Sequence, residues 1–388
     1  MDRFDLPEGW EWRELHEIAT VDSRQINPSE TPNTLFNYVG LENIASGTNV
    51  LSDFRPTIGS SIKSNKNRFD QRHVLYGKLR PYLNKVHLPA FEGICSTDIL
   101  PLLPKPEIVS RDYLGIYLRT PGVIEYTRSK MDGAKMPRLR TPDLRALLVP
   151  VAPILEQHRI VARVDAQFTR CEIIRKAQRE HETELRGILA GYYAEICADA
   201  GWKPMAEVAP QARRPVSVKA GKSYPELGIR SFGKGTFHKP AISAEQLGSK
   251  RIYHIQPGDL IFNNVFAWEG AVAVVKPEDS GRVGSHRFIT CVPKADVATT
   301  PFLYFHFTTE QGLHDLGDAS PGGAGRNRTL GLAALGNIRV PVPDYDKQVQ
   351  FARLWEKVEI TRRLQAELAA DLAAYVPAVL DKAFRGEL

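Results

Sequence analysis

Two stretches of the chain carry apolar positions at alternating steps of four and three residues, the spacing of a heptad seam. The first runs through Ile160, Val164, Gln167, Cys171, Ile174, Gln178, His181, Leu185, Ile188 and Tyr192; the second through Phe351, Leu354, Val358, Thr361, Gln365, Leu368, Leu372, Tyr375 and Val379. Both are poor in proline and rich in Ala, Leu, Glu and Arg, and each follows a proline-bearing segment, "VPVAP" or "VPVPD", with Glu156 or Asp346 placing negative charge in the first turn. The pattern predicts two helices of roughly 40 residues, about 60 Å each at 1.5 Å per residue. That is longer than one small core requires. The polar seam positions (Gln167, Gln178, His181, Thr361, Gln365) weaken a coiled coil while restricting its register. The expected arrangement is a helical spacer, and the simpler alternative is two amphipathic helices, each packed on its own domain.

Before each helix lie about 140 residues of short apolar runs punctuated by Gly, Pro, Asn and Asp, which read as strands and turns with a few short helices. These two regions repeat one another. "GWEWRELHEIATV" from Gly9 answers "GWKPMAEVAP" from Gly201, and "YVGLENIASGT" from Tyr38 answers "PELGIRSFGKGT" from Pro225. "STDILPLLPKPEIVSRDYLGIYLRTPG" from Ser96 matches "SHRFITCVPKADVATTPFLYFHFTTEQG" from Ser285, and "VPVAPILEQHRIVARV" from Val149 matches "VPVPDYDKQVQFARLW" from Val340. The order never changes and the offset stays near 190 residues. The fold class expected is therefore α+β: two related mixed domains at 1–150 and 201–343, with helices at 151–200 and 344–388.

Within the first copy, "VLYGKLRPYLNK" (74–85) alternates apolar and cationic side chains, so it is expected as a strand with Lys78 and Arg80 on an exposed face. Charge is clustered around it. Between Arg55 and Lys85 there are eight cations against the single anion Asp70, and Arg213 to Arg251 carries nine against Glu226 and Glu245, so the clustering is itself repeated. Cations interleaved with amides, hydroxyls and glycines suit contact with phosphates and base edges. The candidate nucleic-acid contacts are Lys63, Asn65, Lys66, Asn67, Arg68, Lys78, Arg80 and Lys85 in the first copy, with Arg230, Ser231, Lys234, His238 and Lys239 in the second. Each copy also ends in a glycine-bearing basic loop, "GAKMPRLR" (133–140) or "GGAGRNRTL" (322–330), which adds Lys135, Arg138, Arg140, Arg326 and Arg328.

Other chemistries lack their motifs. There is no phosphate-cradling G-x-x-x-x-G-K-[ST], no H-E-x-x-H, no G-x-S-x-G, no dinucleotide fingerprint and no Asn/Asp-Pro-Pro-aromatic tetrapeptide of amino-methyl transfer. Asp344 in "PDYDKQ" is expected to cap a helix rather than to bind a metal. Cys95, Cys171, Cys197 and Cys291 lie far apart, so neither a zinc site nor a disulfide framework is expected. Hydrophobic content of 43% with 25% charged residues is that of a globular chain. "ALLVPVAPIL" (146–155), the most apolar run, is far short of the roughly 20 residues of a membrane helix. The opening "MDRFDLPEGW" lacks the apolar stretch of a signal peptide. A cytoplasmic protein with no membrane contact is expected.

Taken together, "LPEGWEWRELHEIA", "VLYGKLRPYLNKV" running on to "GICSTDILPLLP", "GAKMPRLRTPDL", "PILEQHRIVARVD" and the closing "LDKAFRGEL" resemble the specificity (S) subunit of type I restriction–modification systems over nearly the full length. The resemblance implies two target recognition domains separated by two conserved helices that pair as an antiparallel coiled coil, each domain reading one half of a split site in double-stranded DNA. It implies two copies of a DNA methyltransferase (modification) subunit docked beside the helices and holding S-adenosylmethionine, with a restriction/translocase subunit as an optional further partner. This chain itself is then non-catalytic, with no cofactor and no metal. The second copy departs from the pattern at "DLIFNNVFAWEGAVAVV", where Asn263, Asn264 and Trp268 replace the Lys78 and Arg80 arrangement. The competing reading is a free-standing, repressor-like DNA-binding protein with no modification partner.

Overall fold

The computed structural model describes residues 4–131, 136–322 and 328–388. Two compact units are present: residues 1–177 with 366–388, and residues 178–365. Each unit therefore contains one mixed α/β region and a portion of both long helices, Ile154–Cys197 and Tyr345–Phe384.

The two α/β regions repeat one architecture. In the first, strand Glu11–Glu14 pairs antiparallel with Leu148–Val151, Trp12 opposite Pro150; in the second, Gly201–Pro204 pairs with Arg339–Val342, Trp202 opposite Pro341. These ribbons join the first block of each repeat to the last. A four-stranded sheet in the first unit runs Gln25–Ile26, Lys66–Phe69, Gly93–Cys95, Tyr38–Val39, and its counterpart runs Thr236–Ser243, Ser223–Ile229, Val283–Ser285, Ile252–His254. Each has one parallel pairing at the same place, Ile94 with Tyr38 and Glu226 with Val283. A second sheet pairs Val74–Gly77 antiparallel with Ile99–Pro104 in the first unit and Leu260–Asn263 with Phe288–Cys291 in the second. Two short helices follow, Arg111–Tyr117 and Pro121–Ser129, matched by Thr300–His306 and Glu310–Asp318. Thr120 and Thr309 cap the second helix of each pair through their hydroxyls.

The long helices begin under identical control. Gln157 is fully buried; its Oε1 accepts from Ser110 N–H at 2.8 Å and its Nε2 donates to Ile108 and Ala152 carbonyls at 2.9 and 2.8 Å. Gln348, equally buried, accepts from Thr299 N–H at 3.2 Å and donates to Val297 and Pro343 at 3.0 and 2.9 Å. In both places a side-chain amide satisfies loop groups that water cannot reach. Asp344 Oδ1 accepts from the N–H groups of Asp346 and Lys347, as a helix cap does.

The helices pair antiparallel. In the first unit Tyr375 hydroxyl donates to Gln167 Oε1 at 3.0 Å; in the second, Gln178 donates to Gln365 carbonyl at 3.3 Å, Arg362 clasps Glu182 at 3.0 Å and Tyr192 hydroxyl donates to Gln350 at 3.0 Å. As one position number rises its partner falls. The expected seam holds at Ile160, Val164, Cys171, Val358, Leu372 and Val379, all buried, is exposed at Ile174, Leu368 and Tyr375, and shifts at Ile188, which is exposed while Leu189 is buried. There the helix turns its inner face to the core of the second unit, and Leu189 and Ile196 join Phe302, Phe307 and Phe351. A straight helix of 3.6 residues per turn drifts from a 3.5-residue seam, and a domain core captures the drifted face.

Candidate nucleic-acid interface

"VLYGKLRPYLNK" is not one strand. Pairing stops after Val74–Gly77, all four residues of which are buried, and Arg80 takes a left-handed conformation (φ 49°) before the single-turn helix Pro81–Leu83. Lys78 and Arg80 thus occupy a turn, where Lys78 is half-buried and Arg80 exposed. That turn is pinned by the distant basic loop: Arg80 N–H donates to Pro137 carbonyl at 2.8 Å, Leu139 N–H to Lys78 carbonyl at 2.9 Å, and Leu79 bridges Arg138. Two segments some 60 residues apart in sequence therefore place Lys78, Arg80, Arg138 and Arg140 together. Arg138 pairs with Asp98 at 3.1 Å and Arg140 with Asp143 at 2.7 Å. The Arg140 guanidinium holds the Asp143 carboxyl below its usual range.

Several expected contacts are spent on the fold instead. Lys66 is buried, its ammonium donating to the carbonyls of Lys63 and Ser64 at 2.5 and 3.2 Å and to Ser64 Oγ at 3.0 Å, with burial lowering its pKa. Asn67 is buried between Gln25 and Ile99, one amide atom to each. Lys85 Nζ donates to Leu41 carbonyl at 2.5 Å. Arg72 chelates Asp70, which with Asp22 flanks the fully buried His73 at 3.0 and 3.1 Å. Hydrogen bonding from Arg24 holds Asp22 down to about 2. Among the described residues Arg55, Lys63, Asn65, Arg68, Lys78 and Arg80 keep side chains with no protein partner. Lys135 and Arg326 lie outside the described residues.

The second unit presents a hairpin. Strands Ser223–Ile229 and Thr236–Ser243 carry the turn 230–235 with Arg230, Ser231 and Lys234, and His238 and Lys239 follow on the second strand. The turn docks on residues 269 and 270: Phe232 N–H donates to Glu269 carbonyl at 2.7 Å, Gly233 N–H to Gly270 carbonyl at 2.9 Å, and Ser231 Oγ to Glu269 at 3.0 Å. Gly270 has φ +74°, which strains any other residue, and a Cβ there would meet the Leu313 side chain at 3.0 Å. Next to it, Arg328 lies over the Trp268 ring at 5.2 Å, and Leu330 N–H donates to Asn264 carbonyl at 2.8 Å. This last bond repeats that of Leu139 with Lys78, so the loop-on-turn arrangement is common to both units. Arg230 lies over Phe237 at 4.9 Å; His238 is anchored to the buried Asp279 at 3.0 Å and Lys239 faces Glu226 at 3.5 Å.

The same hairpin tip forms one rim of a groove of about 730 Å³, floored by Tyr193, Tyr304 and Trp355. Its helical wall is charge-balanced, since Glu182 and Glu359 both bind Arg362. Phe232 escaped the sequence reading. Its only signal was an aromatic between two small residues, "SFG", in a basic turn. Among the described residues no group of His, Cys, Asp and Glu could hold a metal, the four cysteines are unpaired, and no helix is long and apolar enough to cross a membrane.

Fold and site together define a class: a duplicated α+β chain on two antiparallel helices, in which a basic loop is pinned to the same turn in each copy, with cations on that turn in the first unit (Lys78, Arg80) and on a separate hairpin in the second (Arg230, Lys234). The chain resembles the specificity subunits of type I restriction–modification systems. Its fold matches over the full length of both chains one in a solved structure described as the "structural basis underlying complex assembly and conformational transition of the type I R-M system", with TM-score 0.72 and 23% identity. It also matches the HsdS subunit from Thermoanaerobacter tengcongensis (TM-score 0.54, 23% identity, 99% of each chain) and the type I S subunit from M. genitalium (TM-score 0.52, 16% identity, 98% of each). In sequence it is 29% identical over 171 residues to the type I restriction enzyme EcoDI specificity subunit of Escherichia coli, covering 44% of this chain and 37% of that one. The EcoAI specificity subunit of Escherichia coli is 22% identical over 179 residues, 44% of this chain and 30% of that one. The matched stretch thus spans about a third of these curated relatives. No protein-family model matches the chain.

Proposed function

We propose that this chain is the DNA sequence-recognition subunit of a type I restriction–modification complex. Each unit reads one half of a bipartite site, and the helix pair sets the separation of the half-sites. The observation that carries this reading is the duplication itself: two copies of one α/β region, each with exposed cations close to a basic loop although on different turns of the shared architecture, share one pair of helices. A duplicated reader on a fixed spacer is what a split target requires, since both half-sites must be met in one register along the duplex.

In this reading Lys78 and Arg80 contact phosphates and supply affinity, while Lys63, Asn65 and Arg68, with Arg230, Ser231 and His238, read bases. Arg138, Arg140 and Arg328 exchange their protein partners for DNA. The helices also dock two methyltransferase subunits; exposed Ile173, Ile188, Ile360 and Leu364 offer apolar anchors on them. S-adenosylmethionine and catalysis belong to those partners, a restriction/translocase subunit is a further one, and the assembly works in the cytoplasm.

The test is selection of bound duplexes from a random pool by the full chain co-expressed with the products of its neighbouring genes, followed by exchange of residues 1–150 for those of another specificity subunit. Half of the selected motif should change and half should stay; a change in both halves, or no motif at all, refutes the reading. Tight, sequence-specific binding by the chain alone with no methyltransferase retained would favour the repressor-like alternative.

A second prediction separates surface cations from structural ones. Lys78→Ala with Arg80→Ala should weaken binding to all duplexes alike and lower the slope of log K against log salt by about two, one for each phosphate that is no longer neutralised. Lys66→Met with Lys85→Met should leave the slope unchanged and destabilise the first unit by about 2 kcal/mol or more, because loop carbonyls are then left without charged donors. Altered motif preference at unchanged salt slope in the first pair would refute the phosphate assignment.

A further inference from the structure

Phe232 is 73% exposed, the most exposed aromatic ring among the described residues, and it sits at φ 62°, a left-handed conformation that a bulky side chain adopts only against strain. Nothing about the ring itself rewards that conformation, because the ring is in water. The backbone is nevertheless held on both sides. Phe232 N–H and Gly233 N–H donate to consecutive carbonyls of Glu269 and Gly270, Tyr304 hydroxyl donates to Gly233 carbonyl at 2.8 Å, and Ser231 is tied to Glu269. The parallel pairings make Tyr38 equivalent to Glu226, and in that register the residue opposite Phe232 is Ile44, which is fully buried. The fold therefore buries this position in one unit and presents it, rigidly, in the other.

The chemistry around the ring selects its partner. Lys234 Nζ lies 5.8 Å from the Phe232 centroid, Arg230 precedes it by two residues, and Lys276 lines the same groove; of the three glutamates lining it, Glu182 and Glu359 are paired with Arg362 and Glu310 alone has no salt bridge among the described residues. An aromatic anchor for a protein is normally ringed by apolar neighbours. Aromatic residues line the groove beside it, but the ring itself stands 73% in water on a stiff hairpin between Arg230 and Lys234, and such a ring fits a duplex, where cations hold the phosphates and the apolar wedge enters between adjacent base pairs.

We infer that Phe232 is a wedge that opens one base step in the half-site read by the second unit, with Lys234 on a flanking phosphate and Arg230 at the neighbouring base edge. This deepens the DNA-recognition reading and rests on it. Because the first unit buries Ile44, wedge distortion is confined to one half of the site.

The experiment uses the full chain co-expressed with its neighbouring gene products and the duplexes recovered by selection, with 2-aminopurine scanned through both half-sites. The wild type should raise fluorescence at one step of the second half-site in addition to the rises at the bases that the methyltransferase subunits extrude, which Phe232→Ala leaves unchanged. Phe232→Ala should abolish the rise at that step and weaken binding about tenfold; Phe232→Trp should preserve both. If Phe232→Ala keeps wild-type affinity and the same fluorescence, the wedge is wrong while the DNA reading stands. If it binds DNA normally but no longer retains a co-purifying protein, the ring is a protein anchor and the wedge is equally wrong. If the wild type retains no duplex, the DNA reading fails and the wedge with it.

Discussion

Replacing Phe384 by alanine should destabilise the first unit by about 3–5 kcal/mol while leaving the second unit's unfolding unchanged. Phe384 lies in the last turn of the C-terminal helix, at the opposite end of the chain from the strands of the first unit, yet it is buried in that unit's core. Its ring meets Tyr113 and Tyr117 edge-on, with centroids 5.0 and 4.9 Å apart. Those tyrosines donate to the Pro150 and Leu148 carbonyls at 2.7 and 2.6 Å, so the ribbon that closes the domain leans on the same aromatic cluster. Arg385, stacked over Phe4 at 4.8 Å, fastens the end of the helix further. Tyr193→Ala is the counterpart in the second unit, where Tyr193 packs on Phe302 and Phe305 at 5.5 and 5.3 Å. Hydrogen exchange of each variant under mild denaturant measures the destabilisation of each unit separately. Equal destabilisation of both units, or of the wrong one, would show that the helix ends are not divided between them in this way.

The second unit should lose about 3 kcal/mol of stability between pH 7 and pH 4 through one residue. His306 is fully buried, shares a 2.7 Å hydrogen bond between its Nδ1 and the Tyr193 hydroxyl, and leaves Nε2 without a partner among the described residues. Burial penalises the imidazolium and lowers the pKa to about 4, against about 6.5 when exposed. The unfolded chain takes up a proton below about pH 6.5 and the folded one does not until about pH 4, so the unfolded state binds more protons in that window. Stability is therefore full above about pH 6.5 and declines as the pH falls toward about 4. Asp22 titrates lower, between its ordinary value and about 2, and belongs to the first unit. His306→Phe should lower stability at about pH 7 and flatten the decline between about pH 6.5 and 4. An undiminished slope in that variant would mean another group carries it. The equivalent position in the first unit is Tyr117, which has no charge to gain in this range, so this weakness has no counterpart at that position; the first unit carries a separate one at His87, whose pKa burial also lowers and whose Nε2 has no partner among the described residues.

The basic segments show why part of the candidate interface was legible in sequence and part was not. Clustering of cations around 55–85 and 213–251 is a property of composition along the chain, and it persists in any fold. Which cation remains free is not. Lys66 and Arg68 are two residues apart on one strand, yet Lys66 is buried under loop carbonyls and Arg68 is exposed. Lys85 and Arg80 share one motif, but Leu41 takes the first and leaves the second unpaired. The pairing of Lys78 with the loop at 137–139 joins segments that no local pattern connects.

The chain by itself determined the duplication, the α+β character and the extent of the two long helices, because repeated blocks, turn residues and a three-and-four apolar period act over short distances and survive without knowledge of neighbours. Only the tertiary structure decided that each helix serves both units, that Leu189 rather than Ile188 faces a core, and that Phe232 stands in water where its counterpart Ile44 does not. Those outcomes turn on hydrogen bonds and packing between residues tens to hundreds of positions apart, where burial and the satisfaction of polar groups, rather than local preference, set the energy.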